Sequence, residues 1–352
     1  MGVEVQTGAL YAGAFVATFA ASLAATPLMR RVALRRDVVD APDGGRKVQT
    51  HAIPYLGGVA IAGSSAVALV LGTLVNGTTG ASIGLLAGVL LPALVLSTVG
   101  LWDDIRGLSP LPRFLVQSLA GAVTAYILTS TGTGTTISSF APLNVLLTML
   151  WVVGVTNALN LLDNTDGAAS GTAAIAALGL FAIAALNGQY LVGGLAIALA
   201  GSCLGFLVWN YHPARIYMGD SGSLFIGFML AAIAIRLELR TVTQVNALAV
   251  PIILLAVPIL DTTLVVTARL RRGVSPFTGG LDHLAHRLRR TGLGVRGAVR
   301  WIWAAGGVAG LAATAISRLS DTAGAVVAAA AAVAFVAAFV YAFRLPETGD
   351  LS

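Results

Sequence analysis

The chain has 352 residues, 57% hydrophobic and only 10% charged, with a mean hydropathy of +0.87. A soluble domain carries about 25% charged residues, and surface-to-volume scaling leaves too much of any fold this size wet to hide such a composition; the same figures exclude a disordered chain. What remains is a polytopic membrane protein, whose net charge of +6 reports orientation rather than nucleic-acid binding.

Eleven apolar runs follow one another, at 8–29, 55–75, 83–100, 114–130, 142–155, 168–186, 190–208, 221–235, 247–268, 298–316 and 322–343. At roughly 20 residues per span they predict an all-α integral membrane bundle of about 11 transmembrane helices. The short runs at 142–155 and 221–235 extend into their flanks. The runs are continuous and Ala/Leu/Gly-rich and lack the two-residue alternation of a barrel strand. No Lys or Arg precedes the first run, so it reads as a retained helix, not a secretory signal. The single cysteine, Cys203, permits no internal disulfide and reads as a small core residue.

Alternate loops divide the basic residues 18 to 3, with only Arg236, Arg240 and Arg318 in the minority set. Positive-inside then places the N-terminus outside and the C-terminus in the cytoplasm. Twelve of the fifteen acids fall on the cytoplasmic side. The chain therefore reads as one domain, residues 1–352, whose loops 30–54, 101–113, 156–167, 209–220 and 269–297 form the working face. The sequon Asn76-Gly77-Thr78 reads as a chance match, and no internal repeat is visible.

Four motifs on that face carry chemistry. Asp103-Asp104 ends the third run; adjacent carboxylates at a membrane boundary need a cation, a basic partner or water. Asn157, Asn160, Asp163 and Asp166 recur every three residues, a spacing that stacks oxygen ligands on one helix face. Met218-Gly219-Asp220-Ser221-Gly222-Ser223 opens the eighth run, where free N–H groups at a helix start favour phosphate; Tyr217 beside it either stacks on a base or belongs to the interfacial aromatic belt. The long basic loop 269–300 places His283, His286 and Arg287 on one helix face as a diphosphate clamp, with Arg289, Arg290 and Arg296 read as topogenic or headgroup contacts. Asp261, about two turns inside the ninth run, is costly at depth and is expected to orient a group at the cytoplasmic face, such as a basic side chain of the last motif.

Arg46-Lys47, Pro54, Gly57-Gly58, Asp103-Asp104, Asn157…Asn160…Asp163…Asp166-Gly167, Gly219-Asp220-Ser221-Gly222-Ser223, Pro258…Asp261-Thr262 and Asp282-His283…His286-Arg287 occur here in order. Together they resemble the polyprenyl-phosphate N-acetylhexosamine-1-phosphate transferase superfamily, and more the UDP-N-acetylglucosamine branch than the muramyl-pentapeptide branch. The resemblance implies transfer of a sugar-1-phosphate from a UDP-N-acetylhexosamine to undecaprenyl or decaprenyl phosphate, releasing UMP, at the inner face of the plasma membrane. It implies that Asp220, with Asn160 or Asn157, holds Mg²⁺ (or Mn²⁺), and that Asp103 or Asp104 deprotonates or orients the lipid phosphate. It further implies that Asp163 and Asp166 serve the nucleotide and metal region, that His283, His286 and Arg287 hold the sugar diphosphate, and that Lys47, the only lysine, lies near the incoming phosphate. Membrane lipid is the remaining partner, and a homodimer is left open. Three departures bear on the sugar rather than the reaction: Gln49 with His51 in place of a histidine at 49, Asn164-Thr165 within the usual Asp-Gly-x-Asp-Gly run, and Ala285 in place of one of two adjacent histidines.

Two other classes fit less well. A cation-coupled transporter places acids near the midplane, in broken helices of repeated halves. A CDP-alcohol phosphotransferase requires Asp-Gly-x-x-Ala-Arg, and the run from Asp166 to Gly171 has no Arg.

Overall fold

The computed structural model describes residues 2–40, 52–75, 80–131, 140–239 and 242–347. Lys47, Gln49, His51 and the sequon lie outside the described residues. Every apolar run forms helix: α1 (Gly2–Arg35), α2 (Gly57–Val75), α3 (Gly80–Arg106), α4 (Pro110–Thr131), α5 (Ala141–Leu162), α6 (Ala168–Leu186), α7 (Tyr190–Asn210), α8 (Gly219–Ile235), α9 (Gln244–Leu254), α10 (Ala256–Arg271), α11 (Leu284–Arg289), α12 (Val295–Ile316) and α13 (Asp321–Arg344). Two short strands, β1 (Val39–Asp40) and β2 (Ile53–Pro54), pair antiparallel, Val39 opposite Pro54.

Among the described residues, seven helices can cross a membrane by length and composition, or eight if α9 and α10 count as one span; α2 and α8 are shorter apolar helices. The chain is an all-α polytopic membrane protein. The run at 247–268, expected as a single span, is instead bent by 71° between α9 and α10. Pro258 supplies the reason: it has no N–H to donate to the carbonyl four residues back, and its ring crowds that carbonyl.

The middle of the bundle is α8, buried from Ser221 to Ala234, with α2, α3, α5 and α7 packed around it. At the rim, α13 buries only Gly324 and Ala342 and leaves Val326, Val333 and Val336 bare. An apolar face of that extent is solvated by lipid rather than water. Lipid tails are as apolar as leucine, so helices are held together by close packing and buried polar bonds. Ser65 Oγ of α2 donates to Ser202 Oγ of α7 at 2.8 Å. Trp151 Nε1 of α5 donates to the Ala231 carbonyl of α8 at 3.1 Å. Where α3 crosses the start of α8, a Cβ on Gly100 would lie 2.3 Å from the Asp220 carbonyl oxygen, so only glycine allows this approach. That crossing delivers Asp103 and Asp104 to the start of α8.

Candidate active site

Gly219 turns the chain into α8 with φ +68°, a conformation costly for any residue with a Cβ. The first amides of α8 would otherwise be orphan donors. They are taken by Asp104: Asp220 N donates to Oδ1 at 2.8 Å and Ser221 N to Oδ2 at 3.1 Å. The N–H groups that the sequence assigns to phosphate are therefore satisfied by a carboxylate from α3. Asp103, one residue earlier, accepts from the Leu108 amide and from Arg113 Nη1.

Arg113, in the first turn of α4, also donates to Asp220 Oδ2 and so ties α3 to α8. Asn160 Nδ2, near the end of α5, donates to Asp220 Oδ1 at 2.7 Å and lies 2.9 Å from Ser223 Oγ. Asp163 caps α5, beyond its last helical residue. The three-residue spacing thus stacks Asn157 and Asn160 on the helix, while Asp163 and Asp166 lie in the turn that follows. Burial, then the charges of Asp220, Asp104 and Asp166, push the Asp163 carboxyl up to about 8.

A cleft of about 160 Å³ opens beside these acids, lined by Asp40, Tyr55, Asp163, Asn164, Thr165, Asp166, Asn210 and Tyr217. Its shape comes from backbone pairing: Tyr217 N donates to the Pro54 carbonyl at 2.9 Å and Gly57 N to the Tyr217 carbonyl at 3.0 Å. The Tyr55 and Tyr217 rings come to lie 6.2 Å apart. Burial and the carboxylates of the cleft raise both phenols above the ordinary tyrosine value. Tyr217 thus belongs to the site rather than to an interfacial belt. Asn210 Oδ1 accepts from Gly167 N and Ser170 Oγ, both at 3.0 Å, and fixes the turn after Asp166.

The histidine motif lies alongside. Asp261 has no exposed surface; its Oδ2 accepts from His283 Nδ1 at 2.9 Å and its Oδ1 from the Leu284 amide at 2.6 Å. It orients His283 and caps α11, the orienting role expected of it. Leu284 and Ala285 belong to the buried apolar cluster that also holds Leu162 at the end of α5 and Leu260 and Leu264 of α10. His286 is pushed down to about 3 by burial and by cationic neighbours, His283 first, so it is a neutral imidazole at physiological pH.

Arg287 is not brought into the site. It is fully buried, its Nη1 donating to the carbonyls of Ala342, Phe343 and Leu345 and its Nη2 to Glu347. With Nε on the Asp282 carbonyl and both terminal nitrogens turned to residues 342–347, this guanidinium points away from the cleft. Asn157 also faces elsewhere, its Nδ2 donating to Gln117 of α4 and to the Val153 carbonyl. Arg289 and Arg296, read as topogenic, are built into the fold. Arg289 is buried where it feels the Asp166 charge, and Arg296 Nε donates to the His212 carbonyl at 3.0 Å. Sequence reasoning missed Tyr55, Asn210 and His212, and counted Arg113 for topology alone; in Arg113 the signal was a cation ten residues after Asp103.

Among the described residues, no three Asp, Glu, His or Cys side chains converge as a ready-made metal cage. Mg²⁺ needs only one or two carboxylates when phosphate oxygens and water complete its octahedron. Asp220 and Asp163, with the amide oxygen of Asn160, could supply such hard-oxygen ligands. The raised proton affinity of Asp163 reflects burial first and then crowded negative charge, the second of which a divalent cation would relieve.

Residues 86–238 match the family described as glycosyl transferase family 4. Over 302 residues the chain is 33% identical to a probable undecaprenyl-phosphate N-acetylglucosaminyl 1-phosphate transferase of Bacillus subtilis, covering 83% of this chain and 81% of that protein. It is 34% identical to the decaprenyl-phosphate N-acetylglucosaminephosphotransferase of Mycobacterium tuberculosis, covering 91% and 86%. A phospho-N-acetylmuramoyl-pentapeptide-transferase of Limosilactobacillus fermentum is 34% identical over a shorter stretch, 44% of this chain and 52% of that protein. The chain belongs to this superfamily of polyprenyl-phosphate N-acetylhexosamine-1-phosphate transferases, and within it to the N-acetylglucosamine-1-phosphate branch. It is a glycosyl-1-phosphate transferase.

Proposed function

We propose that the protein transfers N-acetylhexosamine-1-phosphate, N-acetylglucosamine-1-phosphate in the first instance, from a UDP-sugar to a polyprenyl phosphate. A lipid phosphate oxygen attacks the β-phosphorus, the bond from that phosphorus to the bridging oxygen breaks, and UMP leaves. The observation that carries this reading is the meeting of Asp103, Asp104, Asp163 and Asp220, from three separate segments, around one helix start beside a polar cleft. Phosphoryl transfer asks a protein mostly for positioning and charge neutralisation, and that is what this constellation offers.

The cleft with its two tyrosines and amide side chains suits the water-soluble donor. The apolar faces between helices suit the prenyl tail. Asp220, Asp163 and Asn160 would hold Mg²⁺, whose charge, when bound, offsets that of the diphosphate. Arg113 holds Asp103 and Asp220 in register and presents a guanidinium toward the reacting phosphates. Asp104 keeps the start of α8 in place and Asp103 is held by Arg113; one of the two would deprotonate or orient the lipid phosphate. His283, held by Asp261 through Nδ1, keeps Nε2 for the sugar diphosphate, while neutral His286 contributes a hydrogen bond rather than charge. The basic-residue asymmetry supports eleven spans, an outside N-terminus and a cytoplasmic site in the plasma membrane, at the first membrane step of a cell-envelope glycan pathway.

Purified protein in detergent should release UMP from UDP-N-acetylglucosamine plus undecaprenyl or decaprenyl phosphate only when Mg²⁺ or Mn²⁺ is present. Asp220→Asn should remove nearly all of that release at unchanged expression; activity surviving the change would defeat the metal assignment. A panel of UDP-sugars, with mass spectrometry of the lipid product, decides the hexosamine.

A further inference from the structure

We infer that His212 is a positioning residue for the donor substrate and acts through Asp166, an inference that rests on the cleft being the nucleotide-sugar site. His212 lies in none of the motifs above. Its Nδ1 donates to Asp166 Oδ2 at 2.7 Å, and Ala214 N donates to the same oxygen at 2.9 Å. Asp166 also lines the cleft. With Oδ2 held twice, Oδ1 is, among the described residues, the oxygen left to accept from a ligand.

The histidine is held from behind as well. Arg296 Nε donates to its carbonyl at 3.0 Å, and Arg296 lies over the Tyr211 ring at 5.7 Å. Arg300 Nε donates to the Tyr211 hydroxyl at 3.2 Å, and Trp303 Nε1 to the Gly167 carbonyl at 3.2 Å. One face of α12 therefore fixes both the 211–214 segment and the turn that carries Asp166. The His212 and Asp166 side chains remain 39% and 16% exposed. A polar contact with one partner that open to solvent contributes little to stability. What so many contacts do achieve is a fixed direction for one carboxylate oxygen, which is the condition for reading a hydrogen-bond donor on the nucleotide.

The test uses the full chain in detergent, with binding of UDP-N-acetylglucosamine and of UMP measured calorimetrically beside steady-state rates. His212→Phe keeps a ring and loses the donor; His212→Asn keeps a donor at similar reach. His212→Phe should weaken donor binding and raise the donor KM at least ~10-fold, as for loss of a hydrogen bond to a charged group, with the polyprenyl-phosphate KM and kcat held within about two-fold. His212→Asn should recover donor binding to within about three-fold. Equal weakening of both substrates, a fall in kcat at unchanged donor KM, or His212→Asn no better than His212→Phe at wild-type melting temperature would each overturn the role. If His212→Phe does not fold, Arg296→Gln loosens the rear brace alone and should lower donor affinity about three-fold; unchanged affinity there also overturns it. Wild-type protein that binds UDP-N-acetylglucosamine yet releases no UMP would refute the reaction while the binding series still judges His212. Wild-type protein that binds no uridine nucleotide would refute both.

Discussion

Arg113 stands between Asp103 and Asp220, a cation whose two partners come from different helices. Both carboxylates meet one terminal nitrogen, Nη1; a lysine keeps the charge but loses the delocalised, planar head that Arg113 places between them. Arg113→Gln should slow UMP release about 10- to 150-fold, the equivalent of about 1.5–3 kcal/mol for hydrogen bonds to charged groups, with Arg113→Lys in between; a lysine variant at full rate would remove Arg113 from the reaction. Asp163 lends itself to a different measurement. Its carboxyl is raised from 3.8 to about 8 in the folded chain, so the folded state holds a proton that the unfolded state has released. Stability is therefore greatest at the acid end of that window, falls as pH rises through it, and levels above about 8. Asp163→Asn cannot titrate. In detergent without divalent cations its melting temperature should lose that slope and exceed the wild-type value at pH 9 by roughly 2–4 °C for each kcal/mol relieved. Scanning fluorimetry across the window checks this, and a variant retaining the wild-type slope would place the titration elsewhere.

At the scale of elements, the site is a set of helix ends that cap one another. The end of α3 caps the start of α8 through Asp104, and Asp261 of α10 caps α11. Capping carboxylates at a helix N-terminus also meet the positive end of its dipole, so these acids stabilise the bundle as well as shaping the cleft. The α3–α8 crossing depends on Gly100. Adding one methyl there meets the backbone of Asp220, which cannot rotate away. Gly100→Ala should thus push α3 off α8, cost about 1–3 kcal/mol as overpacking does, and abolish activity with the Asp104 cap. Gly307→Ala, with nothing within 4 Å of the added carbon, is the control and should melt as wild type does. The apolar runs were legible as helix because such a run leaves a membrane segment no other way to satisfy its backbone; the break between α9 and α10 was not. Asp103, Asp104, Asn160, Asp163 and Asp220 were legible because acids and amides at membrane boundaries have few bland uses. Arg113, Tyr55 and His212 were not, since their roles arise from partners 107, 162 and 46 residues away. Arg287 was misread for the converse reason: its sequence neighbours are histidines, yet its partners are the carbonyls that end α13.

Over the whole molecule, polarity runs along the bundle axis. The acids of the site, the histidine helix and the arginines of the 269–300 segment gather at one end, where the ends of α3, α5 and α10 meet the starts of α4, α8 and α12. An enzyme joining a soluble donor to a membrane-held acceptor needs this asymmetry, because each substrate must arrive from its own phase at one depth. The basic-residue count predicts that this end faces the cytoplasm, since loops rich in Arg and Lys resist translocation. Cys203 is the only cysteine and is buried, so single cysteines placed elsewhere report without background. Val245, in the first turn of α9, is 72% exposed and lies at a helix end expected outside; Phe277, 77% exposed, lies in the long basic loop expected inside. A membrane-impermeant maleimide should label Val245→Cys on intact cells and Phe277→Cys only after permeabilisation. The reverse pattern would turn the site to the outer face, away from cytosolic nucleotide sugar, and the reaction would then need a donor delivered from the other side.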